Sequence, residues 1–249
     1  MRVRGVGRAR LLLRRFRGRP KHVARSQSDE AEILARLVKQ LKAPRSFLEF
    51  GFAPYELNCA SLLHSCRGLL VDGDSGNVDV ARTVMPRRVK TMQLYLDLDN
   101  LQLLTDRYRP GELGVLSIDV DGNDYWFLEA LLPKLEPAIA VVEYNASLGL
   151  RPLTVPYDPT FDRHEKHPSG LYHGASLEAL TRLCRRHGYR LVAVASGGNN
   201  AFYARRELDE LPTLNATAYR EEALRNEWSG TTAAEQWETI KDLDYITVD

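Results

Sequence analysis

The sequence predicts an α/β fold with a mostly parallel central sheet flanked by helices and closed by an antiparallel terminal strand pair. Three observations carry this. Short apolar runs alternate with segments of helical periodicity, which is the pattern of βαβ units. Two of the runs, Val115–Asp119 and Ile139–Glu143, are largely apolar up to an acidic last residue, as strands buried on both faces are. Tyr189–Ser196 and Ala201–Ala204 are separated by Gly197-Gly198-Asn199-Asn200, a turn that returns one strand beside the other.

Taken in order, residues 1–25 hold ten Lys or Arg and no acid, whereas the rest of the 249-residue chain carries 24 basic against 33 acidic residues. The nominal charge of +1 therefore conceals a basic arm on an acidic body near −9. We expect the arm to be solvated and disordered, with an anionic surface as its natural contact. Its one apolar cluster, Leu11-Leu12-Leu13, is far short of a signal-peptide core of roughly 7–15 apolar residues. No run approaches the ~18–20 apolar residues of a membrane span, so a cytoplasmic protein is expected. Cys59, Cys66 and Cys184 are odd in number and form no C-x-x-C pair, which argues against a disulfide framework or a zinc site. Residues 26–249 are read as one domain.

Within that domain, Ser26 or Ser28 can cap a helix bearing Ile33, Leu34, Leu37, Val38 and Leu41, which ends before Pro44. A strand at Ser46–Phe50, a helix through Leu57, Leu62 and Leu63 and a strand Leu69–Val71 ending at Asp72 follow. Between Val115–Asp119 and Ile139–Glu143 lies a helix that Asn123 can cap and Pro133 can stop. Residues 145–175 break the alternation and read as a functional loop or lid. A helix from Ser176 then runs through Leu177, Leu180, Leu183 and Cys184 to a cap at Gly188, ahead of the closing strands. Trp228 and Trp237 fall in two tail helices expected to pack on the body.

Chemistry concentrates at the strand ends. Glu49-Phe50-Gly51-Phe52-Ala53 ends the first strand, where glycine permits close approach of a ligand to the backbone. Asp72 ends the second strand roughly 20 residues on, where an acid in dinucleotide-type folds accepts hydrogen bonds from ribose hydroxyls, and Gly73 and Asp74 neighbour it. Asp119-Val120-Asp121-Gly122-Asn123-Asp124 puts three carboxylates at the ligand-binding edge of a buried strand, a crowding that calls for a cation or hydrogen bonds. The glycine of that run comes too early for a calcium-binding EF-hand. Glu143-Tyr144-Asn145 ends the next strand at the same edge. Tyr157, Asp158, His164, His167, Tyr172 and His173 add groups able to position a hydroxyl or take its proton at neutral pH, with His173 preferred as the base because it precedes the helix at Ser176.

The stretches GLLVDGD, LSIDVDGNDYWFLEAL, VVEYNASLG, VPYDPTF, LYHGASLEAL and GNNAFYAR, with Glu49-Phe50-Gly51 upstream, resemble a bacterial branch of FkbM-like class I S-adenosylmethionine (SAM) dependent methyltransferases over residues 46–206. The resemblance implies a Rossmann-like fold, SAM as cofactor and O-methylation of a hydroxyl on a sugar, glycan or other small-molecule acceptor such as a secondary metabolite. It implies cofactor contacts at Glu49, Gly51, Asp72 and Asp119, with the neighbouring Phe52, Gly73 and Asp74 as further cofactor candidates, while Asp121, Asp124 and His173 are the candidate catalytic residues from their place at and beside the strand ends. The Asp-rich strand end is also similar to that of macrocin-type O-methyltransferases, which implies Mg2+ on Asp119, Asp121, Glu143 and Asn145. Ala53 replaces the second glycine of the usual E-x-G-x-G loop. Two rival readings are a metal-dependent nucleotide-sugar glycosyltransferase using Asp119-Val120-Asp121 as a D-x-D motif, and an inactive scaffold of the same fold.

Overall fold

The structure, a computed structural model, describes residues 24–208 and 211–249. The basic arm lies outside the described residues except for its end. There Ala24 packs on the core and Arg25 pairs with the backbone, donating its N–H to Tyr55 O and accepting from Leu57 N–H.

The chain forms α1 (Glu30–Gln40), β1 (Ser46–Phe50), β2 (Arg67–Asp72), α2 (Ser75–Val84), β3 (Val89–Gln93), α3 (Gln102–Thr105), β4 (Val115–Ile118), α4 (Asp124–Leu135) and β5 (Ile139–Glu143). It continues through β6 (Leu153–Thr154), α5 (Arg163–Lys166), α6 (Leu177–Arg186), β7 (Tyr189–Val194), β8 (Asn200–Arg205), α7 (Ala223–Ser229), α8 (Ala233–Ile240) and β9 (Ile246–Thr247). The main sheet has the order β3-β2-β1-β4-β5-β8-β7. Strands β1 to β5 are mutually parallel where they pair, and β8 and β7 close the sheet antiparallel. This is the Rossmann-like arrangement expected from the strand pattern. The chain moves outward from β1 to β3 and then crosses back to β4, so the crevice between β1 and β4 is a topological switch point, where open α/β sheets bind ligands.

Burial follows the apolar runs. Leu48, Phe50, Leu116, Ile118, Ala140 and Val142 pack on α4 and α6, while Phe47, Leu70, Val115, Ile139 and Val141 meet α1 and α2 on the opposite face. Each such fully buried large apolar side chain contributes about 1.5–3 kcal/mol relative to exposure. A third cluster joins Leu148, Val155, Leu171 and Tyr172 of the 145–175 segment to Ile240 of α8, and β6 pairs with β9. The long connection is thus folded against the C-terminal tail.

Several local expectations are corrected. No α-helix forms through Leu57, Leu62 and Leu63. These residues are buried around a 3-10 turn at Ala60–Leu62, and the N–H groups of Asn58 and Cys59 just before it donate to the Glu49 carboxylate. Pro133 lies inside α4, which ends two residues later at Leu135, with Glu136 beyond it in a left-handed conformation. Burial of Leu131, Leu132 and Leu135 holds that last turn together. Asn123 occupies the cap position of α4 without capping, its Nδ2 donating instead to Asp158 O. Ser176 does cap α6, accepting from Ala179 N–H at 3.0 Å. Trp228 is 73% exposed rather than packed. Among the described residues, no helix is long and apolar enough to cross a membrane.

Candidate functional site

The carboxyl ends of β1, β2, β4 and β5 open into a cleft with two lobes. One, of about 530 Å³, runs past Glu49, Asn58, Glu143, Asn200, Glu222 and Arg225. The other, of about 700 Å³, runs past Gly73, Leu94, Tyr95, Leu96 and Phe161. Gly51, Asp72, Asp119, Asp121 and Arg163 line both. Each lobe is of a size that accommodates a small organic ligand.

At the end of β1, Gly51 has φ +63°, and a Cβ built on it would lie 1.5 Å from Asp119 O. Glycine here lets the end of β1 lie against the end of β4, with Asp119 N–H donating to Phe50 O at 3.2 Å. The sequence reading assigned Gly51 to ligand approach, and the nearest constraint is this backbone contact. Glu49 is buried and accepts from Asn58 N–H at 2.8 Å and Cys59 N–H at 3.1 Å. Burial pushes its pKa up to about 7 despite those bonds, which pull the other way. Asp72 accepts from Phe52 N–H (3.1 Å) and Asp74 N–H (2.7 Å), so it ties the β1 loop to the β2 loop while lining both lobes. Asp74 caps α2, accepting from Asn77 N–H at 2.9 Å. Gly73 lies against Tyr95.

The three acids after β4 have different places. Asp119 lies at the junction of the lobes, and burial, then Asp121 and Asp124, hold its carboxyl well above the usual range. Asp121 is exposed, in a left-handed conformation (φ +56°) that aspartate tolerates better than most residues, and pairs with Arg163. Asp124 is fully buried and accepts from Val120 N–H and Gly122 N–H, both at 2.9 Å. The catalytic role read for Asp124 therefore gives way to a structural one: it shapes the turn that presents Asp121 and does not reach the cleft surface. Its pKa is raised to about 6, with burial outweighing the two bonds.

The metal set read from the sequence is also rearranged. Asn145 is buried and fully engaged. Its Nδ2 donates to Leu171 O and His173 O, and its Oδ1 accepts from Ser147 N–H and from Arg225. These four bonds tie the end of β5 to the 145–175 segment and to α7, and they leave no free ligand lone pair aimed at the cleft. His173 takes its place instead. Asp121, Glu143 and His173 bring one ligand atom each within 4.8 Å of one another, a set that does not include Asp119. His173 is 1% exposed, and neither ring nitrogen has a hydrogen-bond partner. Leaving a buried polar group unpaired costs about 1–3 kcal/mol. Burial first, then Arg225 and Arg163, push the His173 pKa well below the usual value, so the imidazole is neutral.

Residues that the sequence reading did not single out complete the site. Arg163 projects from α5, donating to Gly170 O as well as pairing with Asp121. Arg225 is buried on α7, where it pairs with Glu222 at 2.7 Å and lies 3.9 Å from Glu143. Asn200, Asn58 and Ser117 form a buried chain of hydrogen bonds beneath the first lobe. Ser117 and Asn200 lie within the stretches LSIDVDGNDYWFLEAL and GNNAFYAR, whereas Arg163 and Arg225 belong to no local motif.

No family model matches the sequence, and no curated protein matches it. Among solved structures, the chain is similar to an O-methyltransferase from Bacillus cereus in complex with SAH, with 20% identity, 78% of this chain and 87% of that one covered, and a TM-score of 0.48. It is similar to a putative caffeoyl-CoA O-methyltransferase from Staphylococcus aureus (12% identity, 78% and 91% covered, TM-score 0.48). A putative O-methyltransferase from Klebsiella pneumoniae gives 18% identity, 78% and 86% covered, and a TM-score of 0.44. At such values a neighbour's function does not pass to this chain by likeness alone.

Proposed function

We propose that this chain is a SAM-dependent methyltransferase of the FkbM-like kind, acting on a hydroxyl of a sugar, glycan or secondary metabolite. The observation that carries the reading is the meeting of Gly51, Asp72 and Asp119 at the switch point, on the shared wall of two lobes. One lobe suits the nucleoside half of a cofactor and the other suits an acceptor. The donor set is compatible with SAM. Asp72 keeps acceptor capacity beyond its two backbone bonds for a ribose diol. Glu49, with Asp119 near it, would meet the cationic methionine end, whose charge would favour the ionised carboxylates that burial disfavours, and Phe52, Gly73 and Asp74 line the lobes beside them. When bound, SAM supplies an electrophilic methyl group.

The chain's own residues would orient the acceptor and receive its proton. His173, held neutral by burial, is a proton acceptor in its resting form, and Glu143 lies 3.9 Å from its Nδ1. Asp121 and Arg163 at the junction would hold the acceptor hydroxyl in line. Asp124 acts through Asp121 as a positioning residue.

The test is calorimetric titration with S-adenosylhomocysteine and, separately, with a panel of nucleotide sugars. Micromolar binding of S-adenosylhomocysteine, lowered at least 100-fold in Asp72→Ala, is expected. Unchanged affinity in Asp72→Ala, or binding of a nucleotide sugar alone, would overturn the reading.

A further inference from the structure

We propose that Asp121, Glu143 and His173 form a binding site for a divalent first-row transition ion of the manganese, iron, cobalt or zinc type, in preference to magnesium. The magnesium set implied by resemblance does not fit, because the Asn145 side chain is consumed by four hydrogen bonds. The residues that do converge come from three separate elements: the turn after β4, the end of β5 and the segment leading into α6.

Two independent features point to an ion. The first is the His173 imidazole, 1% exposed, in contact range of two carboxylates and without a hydrogen bond at either nitrogen. Buried imidazoles ordinarily find a donor or acceptor, and this one has its Nδ1 towards Glu143 with no bond at either nitrogen. The second is spacing. His173 Nδ1 and Glu143 Oε2 are 3.9 Å apart, too far for a hydrogen bond. That distance nonetheless lies within the span of two ligands each ~2.0–2.2 Å from a common centre. The largest separation in the set, within 4.8 Å, would close by a small side-chain adjustment of exposed Asp121.

Charge alone does not require an ion, since Arg163 pairs with Asp121 and Arg225 lies 3.9 Å from Glu143. Neither arginine hydrogen-bonds the imidazole, and it is the nitrogen ligand that selects the ion. Magnesium prefers oxygen ligands and retains water, whereas borderline transition ions accept imidazole beside carboxylates. Three protein ligands leave coordination positions open towards the first lobe, which Glu143 and Asp121 line. There an ion would polarise an acceptor oxygen and would take over from the imidazole as the activating group, because it would occupy the His173 lone pair. That role rests on the methyltransferase reading, but the binding does not.

The experiment uses the full chain stripped with chelator and titrated with Mn2+, Zn2+ and Mg2+ by calorimetry, with electron paramagnetic resonance following bound Mn2+. S-adenosylhomocysteine binding is measured separately on the metal-free protein. We expect one Mn2+ or Zn2+ per chain, bound at least 10-fold more tightly than Mg2+, and a further 10- to 100-fold weakening in Asp121→Asn and His173→Ala. Asparagine is well tolerated at the left-handed, exposed position 121, so that variant keeps its fold, which a melting curve verifies. Absence of transition-ion binding, equal affinity for Mg2+, or unchanged affinity in Asp121→Asn would each overturn the site. If S-adenosylhomocysteine fails to bind while Mn2+ binds as expected, the methyltransferase reading falls and the metal site stands.

Discussion

Replacing Gly51 with alanine separates two roles for this glycine, accommodating a ligand and accommodating Asp119. The added Cβ would lie 1.5 Å from Asp119 O, where carbon and oxygen normally approach to about 3.5 Å, so the ends of β1 and β4 must part by roughly 2 Å. That movement stretches the Asp119 N–H to Phe50 O bond of 3.2 Å, which contributes about 0.5–1.5 kcal/mol. The left-handed backbone at φ +63° adds about 1–2 kcal/mol for a residue with a Cβ. The expected loss is about 1.5–3.5 kcal/mol, a sizeable share of a typical 5–15 kcal/mol stability. Gly73→Ala is the control. Its Cβ would lie 2.9 Å from the Tyr95 ring, but Tyr95 is 60% exposed and free to swing aside, so less than about 1 kcal/mol is expected. Urea unfolding followed by circular dichroism, without ligand, measures both. A loss below about 1 kcal/mol in Gly51→Ala, or equal losses in the two variants, would refute the packing argument.

Asp124→Ala leaves the N–H groups of Val120 and Gly122 without their acceptor in a buried turn, and about 2–4 kcal/mol should be lost in the same assay. A near-neutral result would show that the turn does not depend on that carboxylate. Glu49 and Asp124 have folded pKa values raised to about 7 and about 6, so the folded chain binds more protons than the unfolded chain between about 4.5 and 7 and between about 3.8 and 6. Stability should therefore fall as pH rises through these windows, by on the order of 2–3 kcal/mol for Glu49, and a thermal midpoint that is flat or rising from pH 5 to 7.5 would contradict it. If Glu49 faces a cationic ligand end, S-adenosylhomocysteine affinity should weaken as pH drops below about 7, because the protonated carboxyl loses its charge. Trp228→Ala should change unfolding free energy by less than about 0.5 kcal/mol, since the indole is 73% exposed, and a loss above 1 kcal/mol would mean that the side chain packs where the structure exposes it.

Much of the architecture was legible because it is written in local periodicity. The apolar runs that became β1, β2, β4 and β5 end where the acids begin, the cap at Ser176 lies three residues before the N–H it accepts, and the turn at 197–200 joins two strands that pair directly. Helix α2 and strand β3 went unread, since β3 is partly exposed and its residues alternate irregularly. The run at Leu57–Leu63 has the apolar spacing of a helix but forms only a 3-10 turn at Ala60–Leu62, with the N–H groups before it bound to the Glu49 carboxylate.

The sequence by itself determined which apolar runs become β1, β2, β4, β5, β7 and β8 and that acids cluster at the ends of β1, β2, β4 and β5, because each depends on residues within a few positions of one another. Only the tertiary structure decided what those acids meet. Asn145 and His173 lie on the same connection, and nothing local distinguishes the one consumed by backbone bonds from the one left facing Asp121 and Glu143. Arg163 and Arg225 reach the cleft from α5 and α7 through the docking of the 145–175 segment and the tail, a matter of long-range packing that no spacing along the chain encodes.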